Sequence, residues 1–277
     1  MYKALSPGAL GIKVNSLQEA IDVGKAAGYE GVEFNPSEVA TLIDQHGAGH
    51  VKLMFEAAGL KPAGWGLPTD WRNDEAKWKA GLEELPRLAK AAHAIGGFRT
   101  MTWIMPCSND RPMAENRRFH VERFKPIAKI LNENDCWLGL EFIGPKTLRD
   151  SQKFPFIHTM EAMLEMAAEI GPNVGLLLDC FHWYTSGCTT DDLRDLLTPE
   201  KVVYVHVNDA KFGVPVDEQI DNRRALPGAT GVIDLRGFLM TLHQIGYDGP
   251  VTPEPFGNPA TWAKDSLDTI FRSAGLK

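Results

Sequence analysis

The chain has 277 residues, 44% of them hydrophobic and 23% charged, the composition of a folded globular protein and not of a disordered or fibrous one. With 29 basic against 36 acidic residues the formal net charge is −7, and no local basic patch offsets it, which argues against a phosphate backbone as partner. No stretch approaches the roughly 20 apolar residues that a membrane-spanning helix needs, and Pro7 and Gly8 interrupt the N-terminus before a signal-peptide core could form.

Four cysteines (Cys107, Cys136, Cys180 and Cys188) show no metal-type spacing and are too few to staple a chain of this length. They are read as reduced thiols of a cytoplasmic protein.

In chain order, strands are expected over 10–14, 31–35, 61–64, 98–104, 137–143, 174–179, 202–207 and 250–252. Amphipathic helices are expected over 16–27, 36–58 with a break at Gly47 and Gly49, 74–94, 121–134, 159–170, 191–197, 235–245 and 259–274. Ser16 with Glu19 three residues later reads as a capping box. Gly28, Gly59, Gly96, Gly171 and Gly246 fall where a helix C-terminus favours a left-handed residue.

VGLLLD and VVYVHV are continuous apolar runs, as strands covered on both faces should be. Strand–helix alternation repeated eight times predicts a parallel (β/α)8 TIM barrel forming one domain over 1–277. A doubly wound sheet is the rival, but the glycine-rich turn expected after its first strand is missing from GIKVNS. The long polar connection from Asp209 to Gly231 reads as a functional loop.

Catalytic groups in such a barrel project from the C-terminal ends of strands. Those ends carry Glu33, Glu141, Asp179 followed by His182, His206 followed by Asn208 and Asp209, and Glu254. Several carboxylates gathered in one interior need a neutralising partner, and a divalent cation supplies it with Glu, Asp and His as ligands. Asn208 and Asp209 are expected just behind those ligands, and Trp65, Trp103 and Trp183 as an apolar wall beside them.

GYEGVEF, the Glu of LEFIGP, the Asp-x-x-His of DCFHW, the His of VHVND and the Glu of TPEPF resemble the xylose isomerase-like TIM barrel superfamily (the AP endonuclease 2 fold). That superfamily includes ketose 3-epimerases, inosose isomerases and dehydratases, and endonuclease IV. The resemblance runs from the first strand to the last helix and implies metal ligands at Glu141, Asp179, His206 and Glu254. It further implies Glu141 and Glu254 as an acid/base pair, His182 as a substrate-binding and catalytic histidine, and Arg223 or Arg224 ahead of Pro227-Gly228 as a substrate-binding arginine. Glu33, Lys211, Trp65 and Trp103 complete the expected substrate contacts. A substrate-binding glutamate that ketose epimerases carry shortly after Glu141 is replaced here by Gly144, Pro145, Lys146 and Thr147. Of the metals, Mn²⁺ is placed first, with Mg²⁺, Co²⁺ and Zn²⁺ as alternatives. A small carbohydrate substrate is implied, with neither nucleic acid nor membrane as partner, and homo-oligomers are common in the superfamily.

The implied reaction is proton abstraction beside the carbonyl of a sugar, keto-sugar or cyclitol through an enediolate, followed by return of the proton, that is, isomerisation or epimerisation. Elimination of a β leaving group from the same intermediate is the competing outcome, giving an inosose dehydratase or keto-glycoside lyase, with His182, Lys211 or His158 as acid or base. An endonuclease IV-like phosphodiesterase would need further histidines after strands two to four, where Glu33-Phe34-Asn35, Trp65-Gly66 and Trp103-Ile104-Met105 stand instead. A barrel kept only for partner binding would take up no metal.

Overall fold

The computed structural model describes residues 1–72 and 74–277. Its parallel strands are β1 (Tyr2–Leu5), β2 (Gly31–Val32), β3 (Lys61–Pro62 continued by Trp65–Gly66), β4 (Arg99–Ile104), β5 (Trp137–Phe142), β6 (Val174–Asp179), β7 (Val202–Val207) and β8 (Pro250–Pro253). Each pairs in parallel with its neighbour in the chain, and β8 returns to β1 through Tyr2 opposite Pro250. Closure occurs at β3, whose first half pairs with β2 and whose second half pairs with β4. The result is the (β/α)8 barrel that the strand–helix alternation predicts.

The β6 and β7 runs owe their form to burial on both faces; every residue of β7 is buried. Helices α1 (Leu17–Ala26), α2 (Pro36–His46), α3 (Ala48–Ala58), α4 (Glu75–Ala94), α5 (Met113–Asn132), α6 (Lys146–Arg149), α7 (Met160–Ile170), α8 (Cys180–Thr185), α9 (Thr190–Leu196), α10 (Leu235–Gln244) and α11 (Ala260–Ser273) complete the fold, the longer ones forming the outer layer. Their starts are chemically marked: Asn35 caps α2 ahead of Pro36, and Asp74, Thr159 and Asp234 accept amide hydrogen bonds at the first turns of α4, α7 and α10. A large apolar core fills the space between barrel and helices. A smaller one, Tyr2, Ala4, Ala63, Met101, Leu177 and Tyr204, plugs the barrel itself.

Several expectations are corrected. The first strand is Tyr2–Leu5, not 10–14; Leu10 is buried, but in a short 3-10 turn (Gly8–Leu10) ended by Gly11 at φ 72°. The segment YKAL hides its role because Lys3 sits in its middle, with its ammonium carried out to Asp268 at 3.0 Å. Helix α5 begins eight residues before its expected start at Val121, because its inner face there carries the buried polar residues Asn116 and His120. Helices α6 and α8 were not foreseen. Ser16 does accept the Glu19 amide, but Glu19 reaches back to Asn15 N at 2.7 Å, so the reciprocal box is displaced by one residue. Gly28, Gly59, Gly96 and Gly246 are left-handed as expected, whereas Gly171 at φ 176° is simply extended. All four cysteines are free thiols. Among the described residues no helix is long and apolar enough to cross a membrane.

Candidate metal centre

Strand side chains alternate between faces with period two. The plug residues Met101, Leu177 and Tyr204 therefore put Trp103, Asp179 and His206, two positions further on, on the same inward face one layer higher. The same counting from Gly139 and Thr252 delivers Glu141 and Glu254. Register aligns the layer: His206 lies opposite Asp179 on one side and Thr252 on the other, and Trp103 lies opposite Glu141. Glu254 prolongs the ladder one residue past β8, its N–H donating to Val207 O at 2.9 Å.

Glu141, Asp179, His206 and Glu254 thus converge, one ligand atom from each lying within 4.8 Å of the others. His206 Nδ1 is 3.3 Å from Glu254 Oε2, 3.8 Å from Glu141 Oε1 and 4.0 Å from Asp179 Oδ2. Glu141 Oε1 and both ring nitrogens of His206 are buried without a hydrogen-bond partner among the described residues. Buried polar atoms left unpaired are costly, and two of these, Glu141 Oε1 and His206 Nδ1, lie 3.8 Å apart within the cluster. One imidazole and three carboxylates, with no thiolate, form a donor set that fits a divalent cation such as Mn²⁺, Mg²⁺, Co²⁺ or Zn²⁺.

The charges press in the same direction. Burial, then the nearby Glu254, pushes the Glu141 carboxyl well above its usual range. Burial also raises Asp179, to about 6, against the pull of Arg224. Burial would raise Glu254 too, but His206 and Arg224 outweigh it and hold this carboxylate below its ordinary value. Burial opposes a charge on His206, yet Glu254, Glu141 and Asp179 overrule it and push the imidazole up to about 10. The cluster attracts positive charge from any source available.

Two further side chains lock it in place. Asp179 uses Oδ1 to cap α8, accepting Phe181 N at 2.6 Å, while Oδ2 takes Arg224 Nη1 at 2.8 Å and Asn208 Nδ2 at 3.1 Å. Arg224, its side chain only 3% exposed, also donates to Glu254 Oε2 at 2.5 Å and to Asp221 Oδ1 at 2.6 Å. His182 Nε2 lies 3.8 Å from Glu141 Oε1. Burial, then Arg224, pushes His182 down to about 3, so the ring is neutral. Both of its ring nitrogens face donors, Nδ1 the Gly144 N–H at 3.3 Å and Nε2 the Arg224 Nη2 at 3.2 Å. A Cβ at Gly144 would lie 2.4 Å from His182 O, so only glycine allows this approach.

A cavity of about 350 Å³ is lined by Glu141 and Glu254 of this cluster. His182, Arg224, Asp221 and Asn222 continue its polar wall, and Trp103, Met105, Ile143, Leu148 and Phe256 form an apolar one. Glu33 faces a separate open groove of about 480 Å³ that Ser6, Asn15, Ser16, Asn35 and Ser37 also line. Burial, opposed by His206, raises the Glu33 carboxyl, whose Oε1 has no hydrogen-bond partner among the described residues.

Of the residues singled out from sequence, Glu141, Glu254, His182, Arg224 and Trp103 share the cavity, with Asp179 and His206 completing the cluster. Trp65 does not join them: it is fully buried in the outer core, its ring N–H bonded to Gly97 O at 2.8 Å. Trp183 is likewise packed, against Phe238, and bonded to Thr189 O. Arg223 and Lys211 are exposed and line no part of the cavity. His158 turns its Nδ1 to Phe156 O, also outside the cavity. Asn208 supports Asp179 as expected, whereas Asp209 serves the loop that follows. Asp221, Asn222 and Phe256 were not foreseen; loop residues carry no periodic signal, and only the three-residue spacing from Asp221 to Arg224 hinted at a pair.

Comparison with known proteins agrees with the fold. The inosose isomerase of Halalkalibacterium halodurans is 24% identical over 245 residues, 87% of this chain and 83% of that protein. A xylose isomerase domain protein from Alicyclobacillus acidocaldarius superposes with a TM-score of 0.87 at 29% identity, covering 99% of both chains. The IolI protein, solved with a bound zinc atom, superposes with a TM-score of 0.76 at 19% identity over 99% of this chain and 98% of its own. The family model for xylose isomerase-like TIM barrels matches residues 21–273, and this chain belongs to that family.

Proposed function

We propose that the protein is a divalent-metal-dependent isomerase or epimerase of a sugar, keto-sugar or cyclitol. The observation that carries this reading is the convergence of Glu141, Asp179, His206 and Glu254, of which Glu141 and Glu254 line a cavity of about 350 Å³ with polar and apolar walls. The likeness to an inosose isomerase supports the substrate class, and the zinc atom in the IolI structure supports a metal. Mn²⁺ is the metal we place first, because three of the four donors are carboxylates.

A divalent ion held by these four residues would polarise a carbonyl and its neighbouring hydroxyl. Glu141 and Glu254 reach the cavity from β5 and from the end of β8, where one can take a proton from the carbon beside the carbonyl and the other return it. His182, neutral and set against Arg224 through Nε2, lines the cavity beside the substrate. Arg224 keeps its charge in the wall, and Trp103 and Phe256 cover an apolar sugar face. Elimination is the weaker reading, because Lys211 and His158, two of its three proton-donor candidates, lie outside the cavity. The four free thiols accord with a cytoplasmic enzyme, and we take residues 1–277 as a single domain.

The test is proton NMR in D₂O, with Mn²⁺-loaded protein and a panel of inososes and keto-sugars. Deuterium incorporation beside the carbonyl with an isomeric or epimeric product is expected. An unsaturated or cleaved product would replace this reading with a lyase.

A further inference from the structure

The connection between β7 and α10 is built more firmly than its length suggests. The Asp209 carboxylate accepts the backbone N–H groups of Ala210, Thr230, Gly231 and Ile233 at 2.8 to 3.0 Å. Its own backbone exchanges two hydrogen bonds with Ala225. Gln219, fully buried, fills the outer part of the loop by bonding Lys211 N, Lys211 O and Val214 O, and its carbonyl accepts the Thr147 hydroxyl at 2.9 Å. A turn closed by Arg223 N donating to Ile220 O, with Asn222 at φ 63°, then delivers Asp221 to the cavity wall.

We propose that Asp221 binds a hydroxyl of the substrate while orienting Arg224, which makes it a positioning and specificity-determining residue. The proposal rests on the isomerase reading above and refines its substrate. Asp221 is the one carboxylate lining the cavity, among the described residues, that is not part of the four-residue cluster. Its Oδ1 is taken by Arg224 Nη2, whereas Oδ2 has no protein partner among the described residues, and the side chain is 19% exposed.

The other charged groups of the wall are committed: Arg224 is matched by Asp179, Glu254 and Asp221, and Glu141 and Glu254 face the cluster. Among the described residues no unmatched cation lines the cavity, so a phosphate there would face carboxylates. An uncharged polyhydroxylated end, donating one hydroxyl to Asp221, satisfies the wall; a cyclic polyhydroxy ketone has that chemistry.

Wild-type protein, D221A and D221N are loaded with Co²⁺ and titrated with an inosose and its single-deoxy analogues, binding being read from the Co²⁺ visible absorption. D221A should weaken inosose binding about ten- to hundredfold, the range of a hydrogen bond to a charged group, and D221N should recover part of it. Co²⁺ affinity should stay unchanged. One deoxy analogue alone should bind wild type and D221A equally, because it lacks the hydroxyl that Asp221 accepts. Equal losses across all analogues, a fall in Co²⁺ affinity, or no response of wild type to any inosose would each overturn the proposal. Binding with the expected pattern but no deuterium exchange in wild type would instead fault the isomerase reading and leave Asp221 as the recognition residue.

Discussion

Arg224 is a cation already seated against two of the four clustered side chains, Asp179 and Glu254, which makes its removal informative. Methionine matches its stem and carries no charge, so R224M removes three ion pairs at once, to Asp179 at 2.8 Å, Glu254 at 2.5 Å and Asp221 at 2.6 Å, together with the contact to His182 Nε2. Breaking a buried ion pair by deleting one partner costs about 3–5 kcal/mol. At about 2.1 cal/mol/K per residue, 277 residues unfold with an entropy of roughly 0.6 kcal/mol/K, so the Tm of chelator-treated R224M should fall by about 5–9 °C.

A bound divalent ion acts on the same carboxylates. With saturating Mn²⁺ the Tm deficit of R224M should shrink by at least half, and its Mn²⁺ affinity should rise by about tenfold as a competing charge is removed. Melting curves in chelator and in excess Mn²⁺, with isothermal titration of both proteins, measure each quantity. An equal deficit with and without metal, or weaker Mn²⁺ binding by R224M, would refute the idea that guanidinium and metal act on shared carboxylates.

Glu141→Gln and Glu254→Gln should each reduce deuterium exchange to at most about a few percent of wild type, since each glutamate is assigned both ligand and proton-transfer duty. Higher residual exchange in either removes that assignment. Asp179→Asn should lower metal affinity by about 100-fold or more, as loss of a ligand exceeds the effect of disturbing its support; isothermal titration measures it. His120 offers a pH test away from the metal. Burial pushes its imidazole down to about 4, from an ordinary value near 6.5. The native state therefore holds it neutral, while the unfolded chain gains a proton as pH falls below 6.5. Wild type should lose stability relative to His120→Gln between pH 6.5 and 4, by up to about 3 kcal/mol, with no further change above or below that window. Parallel stability curves for the two proteins across it would refute the assignment.

The barrel and the convergence of four side chains at its rim were legible for one reason. Strands convert sequence offsets into geometry with a fixed period and rise, so strand ends placed Glu141, Asp179, His206 and Glu254 at one rim of the barrel, and the family resemblance selected these four from the polar residues there. The same rule explains the error at Trp65. β3 is interrupted between Pro62 and Trp65, its alternation loses phase there, and the indole goes to the outer core. Lys3 in β1 and His120 in α5 misled for a related reason: each is a polar residue on a buried element, made tolerable by a partner far away in sequence or by a local carbonyl.

The β7–α10 loop marks where that logic stops. Arg223 and Arg224 are adjacent and chemically identical, and no period chooses between them. What chooses is the pair of backbone bonds between Asp209 and Ala225, which sets the register of the loop's return and turns Arg224 inward while Arg223 stays in solvent. Asp209 can do this because its carboxylate gathers four amides from residues up to 24 positions away, an arrangement visible only after the chain has folded. In the enzyme proposed above the strands thus supply a cation-binding floor, and the loop supplies the wall, Asp221 and Arg224, that a substrate would meet. A change of substrate in such a barrel should therefore be sought in residues 210–224, with the four residues of the floor left as they are.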